Sequence, residues 1–118
     1  MRHRMGGSRR FGRRPEERAS MLKNLAISLI QHEKVQTTSA KADEVRRTVE
    51  HLITLSKQDS PHHRQLAESR LGNRMAVVKL FDDIGPRMAS RNGGYTRIYR
   101  LENRRGDGAP IVQLEIVE

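Results

Sequence analysis

Residues 95–117 read Tyr95-Thr96-Arg97-Ile98-Tyr99-Arg100-Leu101-Glu102-Asn103-Arg104-Arg105-Gly106-Asp107-Gly108-Ala109-Pro110-Ile111-Val112-Gln113-Leu114-Glu115-Ile116-Val117. The two ends of this stretch alternate in side-chain character and the middle does not. Alternation at period two places successive side chains on opposite faces of a pleated strand. The spacing therefore predicts strands over 95–101 and 111–117, joined by the turn-forming run Glu102–Pro110 into a hairpin. In that loop Gly106 and Gly108 permit positive φ and Asp107 caps the turn. Upstream, the β-leaning run Lys34-Val35-Gln36-Thr37 is too brief to be more than one strand. A lone strand has nothing to pair with, so it is expected to join the hairpin as a third.

The remaining pattern is helical. Pro15 suits a first helical turn, where Glu16 and Glu17 complement the positive end of the helix dipole. Ala19, Leu22, Leu25, Ala26, Leu29 and Ile30 then recur at three- and four-residue spacing to about residue 33. Thr38 or Ser39 caps a second helix over roughly 39–57, with Val45, Val49, Leu52, Ile53 and Ser56 inward and Arg46, Arg47 and Glu50 outward. Ser60-Pro61 starts a third over about 61–71, with Leu66, Ala67 and Leu71 inward, and Gly72 ends it. Asn73 caps a fourth over 74–84, whose stripe is Met75, Val78, Phe81 and Ile84, widened by Val77 and Leu80. Gly85-Pro86 is expected to stop it. The fold class is α+β, two-layer, in the order α-β-α-α-α-β-β, with helices on one face of a small three-stranded sheet. Residues 1–14 (MRHRMGGSRRFGRR) have no helical or strand period and read as a basic extended arm before a single domain over 15–118.

Charge narrows the function. The 118 residues carry 23 Lys+Arg against 14 Asp+Glu, a net charge of +9. Residues 1–14 hold six arginines and no acid, and residues 85–105 hold six arginines and one acid, Glu102. Every basic residue in both segments is Arg, whose planar fork of donors matches phosphate oxygens. A solubilising surface mixes Lys with Arg and intersperses acids. The pattern therefore points to a nucleic acid. No apolar run approaches the roughly 20 residues of a membrane span. Met1-Arg2-His3-Arg4 is followed by no secretory h-region, and zero Cys fits a reducing compartment.

No chemistry competes with binding. His62-His63 are adjacent, so on a helix they point about 100° apart and cannot share a metal. His3, His32 and His51 fall on other elements. Asp82, Asp83 and Asp107 have no nucleophile or base beside them. The integrin-like tripeptide Arg105-Gly106-Asp107 is more simply turn chemistry. Arg91-Asn92-Gly93-Gly94-Tyr95-Thr96-Arg97 is the most informative stretch: two glycines allow close backbone approach to a phosphate, and flanking arginines supply charge. It matches neither a Walker A loop nor a dinucleotide fingerprint. Tyr95 and Tyr99 share a strand parity, which favours core over stacking on a base. With zero Trp and only Phe11, Phe81, Tyr95 and Tyr99, a stacking platform is not expected as the main binding mode.

Several blocks in chain order carry a resemblance: Met1-Arg2-His3, His32-Glu33-Lys34-Val35-Gln36-Thr37-Thr38, Leu52-Ile53-Thr54-Leu55, Gly85-Pro86-Arg87, Gly93-Gly94-Tyr95-Thr96-Arg97-Ile98 and Arg105-Gly106-Asp107-Gly108-Ala109-Pro110. Together they resemble the bacterial large-subunit ribosomal protein L-seventeen family over essentially the whole chain. The resemblance implies a non-catalytic α+β protein on large-subunit ribosomal RNA near the polypeptide exit tunnel, with an N-terminal arm among RNA helices and ribosomal proteins as neighbours. One block departs from the family pattern. Gly12-Arg13-Arg14-Pro15-Glu16-Glu17-Arg18 replaces an Asn and a Ser-Ser-His-Arg run, which leaves Glu16 and Glu17 outside the expected site. The expected RNA-binding set is Arg2, His3, Arg4, Arg9, Arg10, Arg13, Arg14 and Arg18, then Arg87, Arg91, Gly93, Gly94, Arg97, Arg100, Arg104 and Arg105. No cofactor, metal, membrane or small-molecule substrate is expected, and the location is cytoplasmic, on the ribosome. The alternative is a free-standing DNA-binding regulator using residues 61–84 as a helix-turn-helix.

Overall fold

The computed structural model describes residues 15–117. The basic arm over residues 1–14 lies outside the described residues, and with it Arg2, His3, Arg4, Arg9, Arg10, Arg13 and Arg14. Helix α1 (Pro15–His32) leads through Glu33 into strand β1 (Lys34–Thr38), and helix α2 (Ser39–Ser56) follows directly. Helix α3 (Pro61–Leu71) and helix α4 (Arg74–Lys79) come next. Strands β2 (Thr96–Asn103) and β3 (Pro110–Ile116) close the chain. The expected α+β order is present.

The caps fall where side-chain chemistry places them. Thr38 accepts from the Lys41 amide, Ser60 from His63 and Asn73 from Ala76, each satisfying an otherwise orphaned N–H. Pro61 occupies the first turn of α3, and Gly72 ends that helix at φ 65. Glu33 plays the same terminating role for α1 with a φ of 65, unusual for a residue with a Cβ. Its amide donates to Leu29 (2.7 Å), and its carbonyl accepts from the Ile116 amide (2.9 Å), which fixes the turn from helix into sheet.

The fourth helix departs from expectation in two ways. Gly85-Pro86 does not stop it: the chain continues from α4 through one turn of π-helix (Leu80–Ile84) into a helical turn over Gly85–Arg87. Proline lacks an amide and its ring crowds the carbonyl four residues back, so a wider local turn lets the helix pass through Pro86. Gly85 is buried against the end of α2, where a Cβ would come within 2.5 Å of the Ser56 carbonyl oxygen. The buried stripe is also rotated: Ala76, Val77, Leu80, Phe81, Ile84 and Met88 face the core, while Met75 and Val78 face solvent. In α1 the stripe begins later than its spacing suggests, with Ala19 exposed and Ala26, Leu29 and Ile30 fully buried.

The sheet is antiparallel throughout, in the order β1-β3-β2, so β3 is central and the other two are edges. Val112, Leu114 and Ile116 point from β3 into a core shared with Leu29, Ile30, Val45, Val49, Leu52, Ile53 and Leu80. Burying each such aliphatic side chain contributes about 1.5–3 kcal/mol. The opposite parity of β3, Ile111, Gln113 and Glu115, looks away from the helices. Tyr95 does not follow strand parity, because β2 begins only at Thr96. It is buried, and Tyr99 is 44% exposed. The two tyrosines therefore do not form one core face.

Candidate RNA interface

Apart from Arg18 and Arg87, the expected site residues of the folded part fall along one structural line: the loop before β2, the strand itself and the β2–β3 loop. A strand rises about 3.3 Å per residue, so the line is extended rather than convergent. The loop is anchored at its base. Glu50, which leans inward rather than out from α2, accepts from the Thr96 amide (3.2 Å) and hydroxyl (2.7 Å). Thr54 donates to the Tyr95 hydroxyl (3.3 Å), Lys57 donates to it as well (3.2 Å), and the same Lys57 amine reaches the Arg91 carbonyl. The Thr54 hydrogen bond holds the Tyr95 phenol below its ordinary pKa against the opposing effect of burial, with Lys57 assisting. Gly93 and Gly94 adopt φ values of 101 and 64, and a Cβ at either would meet nothing within 4 Å. Backbone conformation thus accounts for both glycines, and the Gly93 backbone also hydrogen-bonds the Tyr95 hydroxyl.

Arginines in this line differ in how far the protein has already engaged them. Arg91, Arg100 and Arg105 are exposed, and their guanidinium groups have no ion pair or hydrogen bond among the described residues. Arg97 lies 3.9 Å from Glu115 and 5.7 Å from the centre of the Tyr99 ring. Arg104 is held by Asp107 in a two-pronged pair at 2.6 and 3.2 Å. That pair, with the Ala109 amide, lowers the Asp107 carboxyl to about 2. Arg87 sits off the line, exposed but engaged by Glu33 (2.9 Å) and Asp83 (3.2 Å). Arg18 lies in α1, well away in sequence from the rest.

The helix pair α3–α4 presents a different surface. Arg64 is clamped by Asp59 and Asp82, both at 2.7 Å, over the face of Phe81. Lys79 is bonded to Glu33 (3.0 Å) and to the Gln31 carbonyl. A helix that reads base edges needs free donors, and two of the basic side chains here are neutralised within the molecule. Among the described residues no group of His, Cys, Asp or Glu is arranged to hold a metal ion. No helix among the described residues is long and apolar enough to cross a membrane.

The sequence of the family described as ribosomal protein L17 matches residues 21–117. A curated relative, "Large ribosomal subunit protein bL17" of Thermomicrobium roseum, is 54% identical over 117 residues and is spanned, like this chain, over 99% of its length. The chain belongs to the ribosomal protein L17 family. The matched region holds the whole sheet and every arginine of the line from Arg91 to Arg105, together with Arg87, so the basic strand is part of the family domain. Reasoning from sequence singled out this stretch of the chain but missed the anchors Glu50, Thr54 and Lys57. It also missed Gln36 and Gln113, polar residues of the bare sheet face whose neighbourhood depends on strand register.

Proposed function

We propose that this ribosomal protein L17 family member is a structural constituent of the large ribosomal subunit that binds ribosomal RNA by shape and phosphate, without catalysis. The observation that carries this reading is the row of unengaged guanidinium groups at Arg91, Arg100 and Arg105 on an edge strand and its loops; elsewhere Arg64, Lys79 and Arg87 are paired with the protein's own carboxylates, while Arg70 and Arg74 stand exposed on α3 and α4. Uncompensated cations clustered on one edge favour a polyanion and release counterions on binding. Arg97, Arg104 and the Gly93-Gly94 backbone extend the contact. Arg2, His3, Arg4, Arg9, Arg10, Arg13, Arg14 and Arg18 add charge from the N-terminal side, while Arg87, held by Glu33 and Asp83, contributes little to the contact. Neighbouring ribosomal proteins and a position near the exit tunnel, in the cytoplasm, complete the proposal.

The test is sedimentation of a cell lysate on a sucrose gradient at low and high salt, blotting for this chain. Stoichiometric migration with the large subunit is the expected result. Migration as free protein, or with the nucleoid, removes the ribosomal reading.

A further inference from the structure

Helices cover one face of the sheet, and no described residue covers the other. On that bare face the antiparallel register aligns Tyr99 of β2 with Gln113 of β3, and Gln113 with Gln36 of β1. One row across three strands therefore reads aromatic ring, amide, amide. Tyr99 is among the few large apolar side chains left exposed, at 44%. The amides are oriented by a relay: Gln36 Nε2 donates to Gln113 Oε1 (3.3 Å), and Gln113 Nε2 donates to Glu115. Each amide group keeps one N–H free, and Gln36 keeps its carbonyl oxygen. On one side of the row Arg97 approaches the Tyr99 ring at 5.7 Å. On the other, Leu101 and Ile111 form with Gln36 the wall of a shallow open depression that Arg104 and Arg105 border.

We infer that this face binds an unpaired ribonucleotide, its base stacked on Tyr99 and its edge met by Gln113 and Gln36; the inference rests on the RNA reading above and names the kind of RNA. Neighbouring strands lie about 4.8 Å apart, so a base lying flat on the Tyr99 ring extends over β3 and brings its edge to the amide of Gln113. Side-chain amides pair with base edges through adjacent donor and acceptor atoms. Stacking on an exposed aromatic requires a base outside a duplex, because duplex bases already stack on one another. The phosphates of the same strand meet Arg97 on the same face of β2 and Arg104 and Arg105 at the border of the depression, which gives charge complementarity on the side where the backbone runs. A protein strand adding to the β2 edge is disfavoured by that same row of arginines.

The experiment compares the full chain with Tyr99→Ala, Tyr99→Phe and Tyr99→Trp, using an eight-nucleotide single-stranded oligoadenylate and an RNA duplex of equal length as probes. The chain has no tryptophan, so an indole at position 99 is the sole reporter of its kind. Its fluorescence is expected to quench with the single strand and not with the duplex. Tyr99→Ala should weaken single-strand binding by roughly tenfold or more, and Tyr99→Phe by less than about twofold, with duplex binding unchanged in both. Unchanged thermal melts show that the variants fold. Equal single-strand affinity for wild type and Tyr99→Ala overturns the inference while leaving the RNA reading intact. Failure of the wild type to bind either probe or large-subunit RNA removes both. A Tyr99→Ala protein that binds RNA normally but no longer co-sediments with the subunit assigns the face to a protein partner and also overturns the inference.

Discussion

Removing Arg91, Arg100 and Arg105 together tests whether free guanidinium groups, rather than arginines in general, carry the affinity. None of the three has an intramolecular ion pair or hydrogen bond among the described residues, so alanine at these positions leaves no carboxylate unpaired. Each phosphate contact contributes about 0.7 (single strand) to 0.9 (duplex) to the slope of log K against log salt. Three contacts should lower that slope by about 2 to 3, and at 0.1 M salt the affinity should fall by roughly 100- to 500-fold. The assay is anisotropy of labelled large-subunit RNA titrated with full chain between 50 and 400 mM KCl. Only the difference between proteins is read, since the other cations add a constant contribution. The matched control is Arg87→Ala, which unpairs Glu33 and Asp83 instead. It should leave the slope within about 0.5 of wild type and cost about 1 kcal/mol of stability, since partly exposed pairs are worth little each. A triple variant with the wild-type slope would refute the reasoning. So would an Arg87→Ala slope loss as large as that of a single free arginine.

Three further outcomes follow from the same geometry. Asp107→Ala releases Arg104 from its two-pronged pair, so RNA affinity should rise and the salt slope steepen by about 0.7–0.9; an unchanged slope counts against an engaged Arg104. Gly85→Ala brings a Cβ to 2.5 Å from the Ser56 backbone oxygen and should cost about 1–3 kcal/mol, lowering the melting temperature by roughly 4–12 °C; Ser56→Ala should not rescue it, because a backbone atom is in the way. Burial raises the Glu33 carboxyl, but hydrogen bonds from Lys79 and Arg87 outweigh it and leave the group below its ordinary 4.5. A depressed carboxylate stabilises the fold fully above the unfolded pKa and loses that contribution as pH falls through the folded value. Wild type should therefore lose more stability than Glu33→Gln on acidification below about pH 4.5, and parallel melting curves in acid would dismiss the pairing.

What was legible in the sequence is what local chemistry decides. Side-chain caps at Thr38, Ser60 and Asn73 bond amides three residues on, so their effect lies within one turn and is written beside them. Period two in Ile111–Val117 survives because β3 is central and buried on one face, where a slip of one residue would invert every side chain. The fourth helix misled because short apolar clusters fit two rotations. Met75 and Val78 form one stripe with Phe81, while Ala76 and Val77 form another with Leu80, Ile84 and Met88. The choice was made by α2, against which Gly85 packs with no room for a side chain. A π-turn inserts its extra residue without any marker except Pro86, which reads as a stop unless the wider turn is known. Tyr95 and Tyr99 were joined by parity over a residue that is not yet strand.

At the interface, the clustering of arginine was visible in the sequence, but availability was not, because availability depends on carboxylates that arrive from elsewhere. Arg87 is engaged by Glu33 from the end of α1, and Arg64 by Asp82 from the π-turn. No spacing rule announces either pair. The edge strand escapes this for a topological reason. Its inner neighbour β3 offers a single acid, Glu115, and that side chain stands opposite Arg97. Arg100 stands opposite Val112, and its other side is open solvent. The one acid in the following loop, Asp107, is held by Arg104, which leaves Arg105 without it. A basic residue stays free here when it lies on the outer strand at a position where the central strand presents an apolar or amide side chain. The register that buries Val112 and Leu114 thereby also keeps cations available at the sheet edge.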